Sequence, residues 1–146
     1  MGSEKKNCKT EISNRIGRAG ETKASGHEFT HVGMQDAVLK VLRSAGFEVI
    51  EEVPADTGKV RFIVDIVAKA KNKTVAVEVK PSKVVSFGDI ARLANVKANK
   101  AIVVVPAGTV VPNFVSSIAR KSKVKIMTLP ELEANASAIY NEVIRS

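Results

Sequence analysis

The stretch "AIVVV", residues 101–105, is an unbroken apolar run. A strand with one wet face alternates apolar and polar side chains. A short continuous run rich in β-branched residues is typical of a strand covered on both faces. The rest of the chain must therefore supply two covering layers, and helical spacing provides them. Met34, Ala37, Val38, Val41, Leu42 and Ala45 recur at the three- and four-residue intervals of one helix face, and Gly46 closes that helix. "SFGDIARLANVKAN" (86–99) reads as a second helix, opened by Ser86 and Asp89 in capping-box spacing. "PNFVSSIARKS" (112–122) reads as a third, with Pro112 near its first turn, and "PELEANASAIYNEVIR" (130–145) as a fourth. Strands are expected at "FEVIEEV" (47–53), in two runs of "VRFIVDIVAKAKNKTVAVEVKPS" (60–82), at "AIVVV" and at "VKIMTL" (124–129). "PADTG" (54–58) and "PAGTV" (106–110) are turns by composition. The first three strands suit an antiparallel meander, and the later strand–helix–strand units need right-handed parallel crossovers. The expectation is an α/β fold whose mixed sheet has about five strands, with helices on both faces.

A chain of 146 residues suits one domain with one core. Residues 1–33 are polar, glycine-bearing and without sustained periodicity, and are read as a flexible arm ahead of a domain at 34–146. Met34 offers an alternative start, which would make that arm an added leader. The single cysteine, Cys8, excludes an internal disulfide and a cysteine metal cluster. No apolar run approaches the ~20 residues needed to cross a bilayer, so no membrane partner is expected and the reading is cytoplasmic. The net charge of +8 favours polyanions, nucleic acid first. Aromatic residues are only 4% of the chain, which argues against a base-stacking platform for single strands.

Three charges interrupt the central hairpin: Asp65 in its first strand, Glu78 and Lys80 in its second. Glu78 and Lys80 are two apart and share a face, while Val75, Val77 and Val79 take the other. With a tight turn centred on Lys71-Asn72, Asp65 stands opposite Glu78. Opposed carboxylates repel. A divalent cation such as Mg²⁺ or Mn²⁺ removes that cost, since carboxylate oxygens are hard ligands. Lys80 on the same face is placed to act on a phosphate oxygen or an attacking water. Among weaker candidates, His27, Glu28 and His31 approach the site if the first helix extends backward and otherwise read as solvated arm residues, and Glu51 and Glu52 read as solvent-facing at a strand end. Lys69, Lys71 and Lys73 of the hairpin, with Lys83, Arg92 and Lys97, are placed to track a phosphate backbone. Ser117 and Ser122 lack triad partners, and "PAGTVVPN" lacks the Gly-Lys-Ser/Thr of a phosphate-binding loop.

The segment "VDIVAKAKNKTVAVEVK" resembles the core of the PD-(D/E)XK nuclease superfamily, and residues 34–129 resemble its archaeal members, notably Holliday junction resolvases and small RecB-like nucleases. That resemblance implies a restriction-endonuclease-like three-layer α/β/α fold and a Mg²⁺- (or Mn²⁺-) dependent endonuclease acting on DNA, branched DNA first, as a homodimer. It implies that Asp65, Glu78 and the Val79 carbonyl bind the metal and that Lys80 assists the attack. Two positions depart from the family pattern. The usual proline before the motif aspartate is Val64, and the position of a first-helix glutamate is Gln35, which brings a hydrogen-bonding amide to the catalytic set without a charge. The alternative reading is a catalytically inactive nuclease-fold subunit that binds DNA or a partner.

Overall fold

Thr30 opens the first element: its hydroxyl accepts the Gly33 N–H at 3.0 Å, and the chain turns into helix α1, His31–Ala45. A computed structural model describes residues 30–56, 58, 61–81 and 84–146. The helix thus begins three residues before Met34, and His31 to Gly33 belong to the domain rather than to the arm. The cause is the Thr30 cap, which satisfies a first-turn donor that would otherwise be orphaned. The buried stripe of α1 is Met34, Gln35, Val38, Leu39 and Leu42, a face that includes one polar residue.

Five strands follow: β1 (Glu48–Asp56), β2 (Arg61–Ala70), β3 (Lys73–Val79), β4 (Lys100–Val105) and β5 (Val124–Thr128). They lie side by side in chain order. β1, β2 and β3 are antiparallel, whereas β3, β4 and β5 are parallel. Helices α2 (Phe87–Ala94) and α3 (Asn113–Lys121) connect the parallel strands, and α4 (Leu129–Arg145) ends the chain. Both crossovers step in the same direction, so their common hand puts α2 and α3 on one face. There Ile90, Leu93, Val115 and Ala119 bury against Ala76, Val103 and Val105. The other face is left to α1 and α4, where Val38, Leu42, Leu132 and Ile139 bury against Ile66, Val75, Val77 and Val104. β4 contributes to both layers, as its unbroken apolar run requires. This is the three-layer α/β/α arrangement with a mixed five-stranded sheet expected above.

Three boundaries differ from the sequence reading. Pro54, Ala55 and Asp56 are not a turn but the end of β1, paired with Ile63, Phe62 and Arg61. β1 is an edge strand, where a missing N–H is tolerated. α2 stops at Ala94 instead of running to 99. Asn99 is taken by β3: its N–H reaches the Thr74 carbonyl and its side-chain oxygen accepts the Thr74 N–H, both at 2.9 Å. β5 ends at Thr128, whose hydroxyl accepts the Glu131 N–H to start α4 at Leu129.

The sheet reverses its faces at one row. In β2, Phe62 and Val64 point to the α2/α3 layer, but Ile66, Ala68 and Ala70, which share their parity, point to the α1/α4 layer. The neighbouring strand does the same, with Val49 on one side and Ala55 on the other. Between these stretches lie Asp65 and Glu52, and Glu52 holds a left-handed backbone (φ 55°). A non-glycine residue there is strained, and such strain collects at functional sites.

Gly46 follows α1 at φ 114°, and its N–H caps the helix through the Arg43 and Leu42 carbonyls. A Cβ at this position would meet the Tyr140 ring of α4 at 3.1 Å. Tyr140 also stacks edge-on against Phe47 at 5.1 Å. Gly46→Ala should therefore lose about 1–2 kcal/mol of stability from the left-handed backbone alone, with the Tyr140 contact adding to it. Urea unfolding monitored by circular dichroism measures this, and an unchanged midpoint would count against the packing described.

Candidate active site

The two-residue turn Lys71-Asn72 is closed by the pair Ala70–Lys73, with Lys71 at φ 58° where short hairpins need a left-handed residue. That turn fixes the register as far as Ile66–Val77. One step further the ladder stops, and Asp65 and Glu78 face each other across the divergence. Their carboxylates replace the missing backbone bonds. Glu78 Oε1 accepts the Asp65 N–H at 3.1 Å, and Asp65 Oδ2 accepts the Val79 N–H at 2.8 Å. Each acid thus holds the other's strand. Burial pushes the Glu78 carboxyl up to about 7, and the Asp65 charge adds to the push, against the opposing pull of the Asp65 N–H, Arg92 and His31. Two acids this close have a strong claim on a cation or a proton.

α1 covers the divergence with its first two turns. His31 and Gln35, four residues apart, lie on one helix face. His31 Nε2 is 3.2 Å from Asp65 Oδ2. The Gln35 Nε2 donates to Glu51 Oε1 at 3.0 Å, to Glu52 Oε2 at 3.1 Å and to the Asp65 carbonyl at 3.4 Å. Gln35 is only 5% exposed, so its amide belongs to the buried face of α1. The neutral amide fits for a physical reason: a carboxylate at position 35 would stand against two others. Glu51 and Glu52 lie in mid-β1 rather than at a strand end; both are solvent-exposed as expected, and each also accepts from the Gln35 amide. His31, read from sequence as a solvated arm residue, belongs to the same group. The approach of His31 follows from the backward extension of α1 to Thr30, whereas the Gln35 bonds to Glu51 and Glu52 depend on where β1 lies against α1. His27 and Glu28 lie outside the described residues.

Lys80 follows β3, and its N–H bonds to the Val104 carbonyl of β4 at 2.9 Å. Its side chain does not reach the acids by a direct bond. It is paired instead with Asp89 of α2, Nζ to Oδ1 at 3.1 Å. Arg92, one helical turn on, is 3.7 Å from the same oxygen. The other Asp89 oxygen accepts from the Ser86 N–H and hydroxyl at 2.9 and 3.0 Å, completing the capping box seen in the sequence. Burial alone would raise the Asp89 carboxyl, but the Ser86 N–H, the Lys80 ammonium and the Ser86 hydroxyl together hold it below the usual range.

The basic residues expected to track phosphates are spread out. Arg92 flanks the site. Lys69, Lys71 and Lys73 sit at the hairpin tip, about six residues and hence roughly 20 Å along the strands from Asp65. Lys97 lines an open cleft of about 540 Å³ beside Asp56, Asn95 and Ala98. Lys83 lies outside the described residues. Among the described residues, no three His, Cys, Asp or Glu side chains form a metal cage, and no helix is long and apolar enough to cross a membrane.

No family model and no curated protein matches the chain. Solved structures share its fold. AF1548, a protein of unknown function, superposes with a TM-score of 0.55 at 15% identity, over 75% of this chain and 66% of its own. Can2 from Sulfobacillus thermosulfidooxidans, solved in complex with cyclic tetra-adenylate, gives 0.55 at 13% identity over 79% of this chain and 35% of its own. VC1899 from Vibrio cholerae gives 0.52 at 12% over 78% and 33%. At these identities the likeness is one of fold. The chain spans about two thirds of the first and about a third of the other two.

The Glu78 environment has a pH signature. Its folded-state value of about 7 lies above the ordinary value near 4.5. The protonated form is the one the fold favours, so its contribution is full below the ordinary value and is lost as pH rises through about 7. Cation-free protein should therefore lose stability over that window, and Glu78→Gln should remove this arm. Asp89 acts with the opposite sign, its contribution vanishing as pH falls. Denaturant midpoints in EDTA between pH 4.5 and 8 test this, and a wild-type curve that rises across the window would contradict it.

Proposed function

We propose that the chain is a divalent-cation-dependent nuclease that hydrolyses phosphodiester bonds in DNA. The observation that carries the reading is the Asp65–Glu78 pair at the strand divergence. The donor set fits Mg²⁺ or Mn²⁺. Each carboxylate spends one oxygen on a backbone N–H, which leaves the second oxygen of each, and by the family pattern the Val79 carbonyl, as the hard oxygens that would hold the ion. Mg²⁺ is ordinarily held by one or two carboxylates together with substrate phosphate and water rather than by an all-protein cage. Such an ion supplies Lewis acidity at the phosphate and lowers the pKa of the attacking water. Lys80 and Arg92 bring positive charge to the same face, where negative charge develops on the phosphoryl oxygens. Gln35 orients β1 and the Asp65 backbone beneath them. The net charge of +8 supports a polyanionic substrate. Branched DNA is the proposed form, and cutting two strands of a two-fold substrate calls for a homodimer.

A second reading is a binding subunit that retains the fold without the chemistry. Gln35 favours it, since a neutral amide stands where the family pattern places an acid. Single-turnover cleavage of a labelled four-way junction and of plasmid, with Mg²⁺ and with Mn²⁺, separates the two.

Two outcomes follow from the nuclease reading. Lys80→Ala should lower the cleavage rate by about 10²–10³, as loss of one transition-state donor does elsewhere. Its DNA affinity should change little, and Asp65→Asn should abolish cleavage while still binding. Equal cutting by wild type and Lys80→Ala, or no cutting by wild type with either metal, transfers the case to the binding subunit. The affinity itself should fall linearly on a log–log plot against salt, with a slope of about −0.9 per phosphate contact. A flat dependence in a gel-shift titration would remove the basic surface from the account.

A further inference from the structure

Lys80 and Glu78 share a strand face two residues apart, and Lys carries a flexible four-carbon stem with a strongly hydrated charge. Left to itself, such an ammonium falls onto the nearest partly buried carboxylate. Here the acid it pairs with is Asp89, not Glu78. Nζ lies 3.1 Å from Asp89 Oδ1, on a side chain that is 35% exposed beside an acid that is 6% exposed. Asp89 is an acid with divided duties. The capping box needs one oxygen, and Oδ2 serves it through both Ser86 donors. Oδ1 is left over, and a buried anionic oxygen is costly unless paired. It is paired with Lys80, and with Arg92 at 3.7 Å.

We propose that Asp89 is a positioning residue that holds the Lys80 ammonium against α2, off Glu78, so that the Asp65–Glu78 pair stays open to a divalent cation. The proposal rests on the metal-site reading above. It explains why a helix cap is built from an aspartate whose second oxygen has no part in capping. It also gives Lys80 a fixed place beside the site, where it neither neutralises the acids nor drifts into solvent.

The test is Mn²⁺ binding to the full chain, followed by the loss of the free-ion electron paramagnetic resonance signal, which requires no turnover. Asp89→Asn keeps the size and a side-chain oxygen for Ser86 but loses the hold on Lys80. It should weaken Mn²⁺ about tenfold, within the range usual for coupled contacting residues. The same change in a Lys80→Ala background should cost less than about twofold, because no ammonium remains to fall on Glu78. Lys80→Ala alone should bind within about threefold of wild type. Ser86→Ala, which removes the cap and leaves Oδ1 in place, should lower the urea midpoint and leave Mn²⁺ affinity unchanged.

Equal losses from Asp89→Asn with and without Lys80 would overturn the proposal in favour of a purely structural acid. So would a Ser86→Ala loss as large as that of Asp89→Asn. If Asp89→Asn does not fold, Lys80→Ala still decides: a gain of tenfold or more in affinity means the ammonium already occupies Glu78. A wild type that binds no Mn²⁺ overturns the metal reading itself and this inference with it. A wild type that binds, with Asp89→Asn unaffected, overturns this inference alone.

Discussion

The register of β2 on β3 is the constraint from which the site follows. Side chains alternate along a strand, so a slip of one residue would carry Asp65 or Glu78 to the wrong layer. The Lys71-Asn72 turn prevents that slip at one end. At the other end the carboxylates themselves bind across the gap, each to the opposite backbone. The pair is therefore both the proposed chemical centre and the closure of the hairpin, and the two roles compete. A carboxylate that satisfies a backbone N–H has given up part of its capacity to bind anything else, and burial adds repulsion that only a proton or a cation relieves.

Around this pair the layers divide the labour. The α1/α4 side presents His31 and Gln35 to the acids, and the α2/α3 side presents Asp89, with Lys80 and Arg92 in its grip. The divergence lies at the row where β1 and β2 exchange faces. A regular sheet would send neighbouring residues of these strands strictly to alternate layers. The reversal at Glu52 and Asp65 lets one short stretch of backbone communicate with helices on both sides.

Much of this was legible in the sequence, and the rest was not for a consistent reason. The apolar run of β4, the helix stripes, Gly46 as a helix stop, the Lys71-Asn72 turn and the Asp65–Glu78 opposition all rest on local periodicity or on turn chemistry. Each survives in the structure. What escaped is what depends on distant partners. Asn99 looked helical because its claim by Thr74 cannot be read locally. Pro54 looked like a turn because composition does not identify an edge strand. Gln35 was read as a neutral amide in the catalytic set, but its bonds to Glu51 and Glu52 depend on where β1 lies against α1. Asp89 was recognised as a cap, but its second oxygen and the Lys80 it holds belong to two elements separated by a loop. The extent of the N-terminal arm was overstated for the same kind of reason, since a single Thr30 hydroxyl moved the helix start.

The irregularity of β1 also bears on how this protein behaves in crowded company. Its outer rim is the open margin of the sheet, where unpaired amides invite another chain to add on. Here that margin carries Pro54, which offers no amide, and the left-handed Glu52, which breaks its straight line. Exposed Glu48 and Glu51 add like charges that a second copy of the same rim would have to approach. The opposite margin, β5, is five residues long with an exposed Lys125. A sheet rich in valine is thus left without a smooth edge to template aggregation, and the strain tolerated at Glu52 doubles as protection against fibrous association.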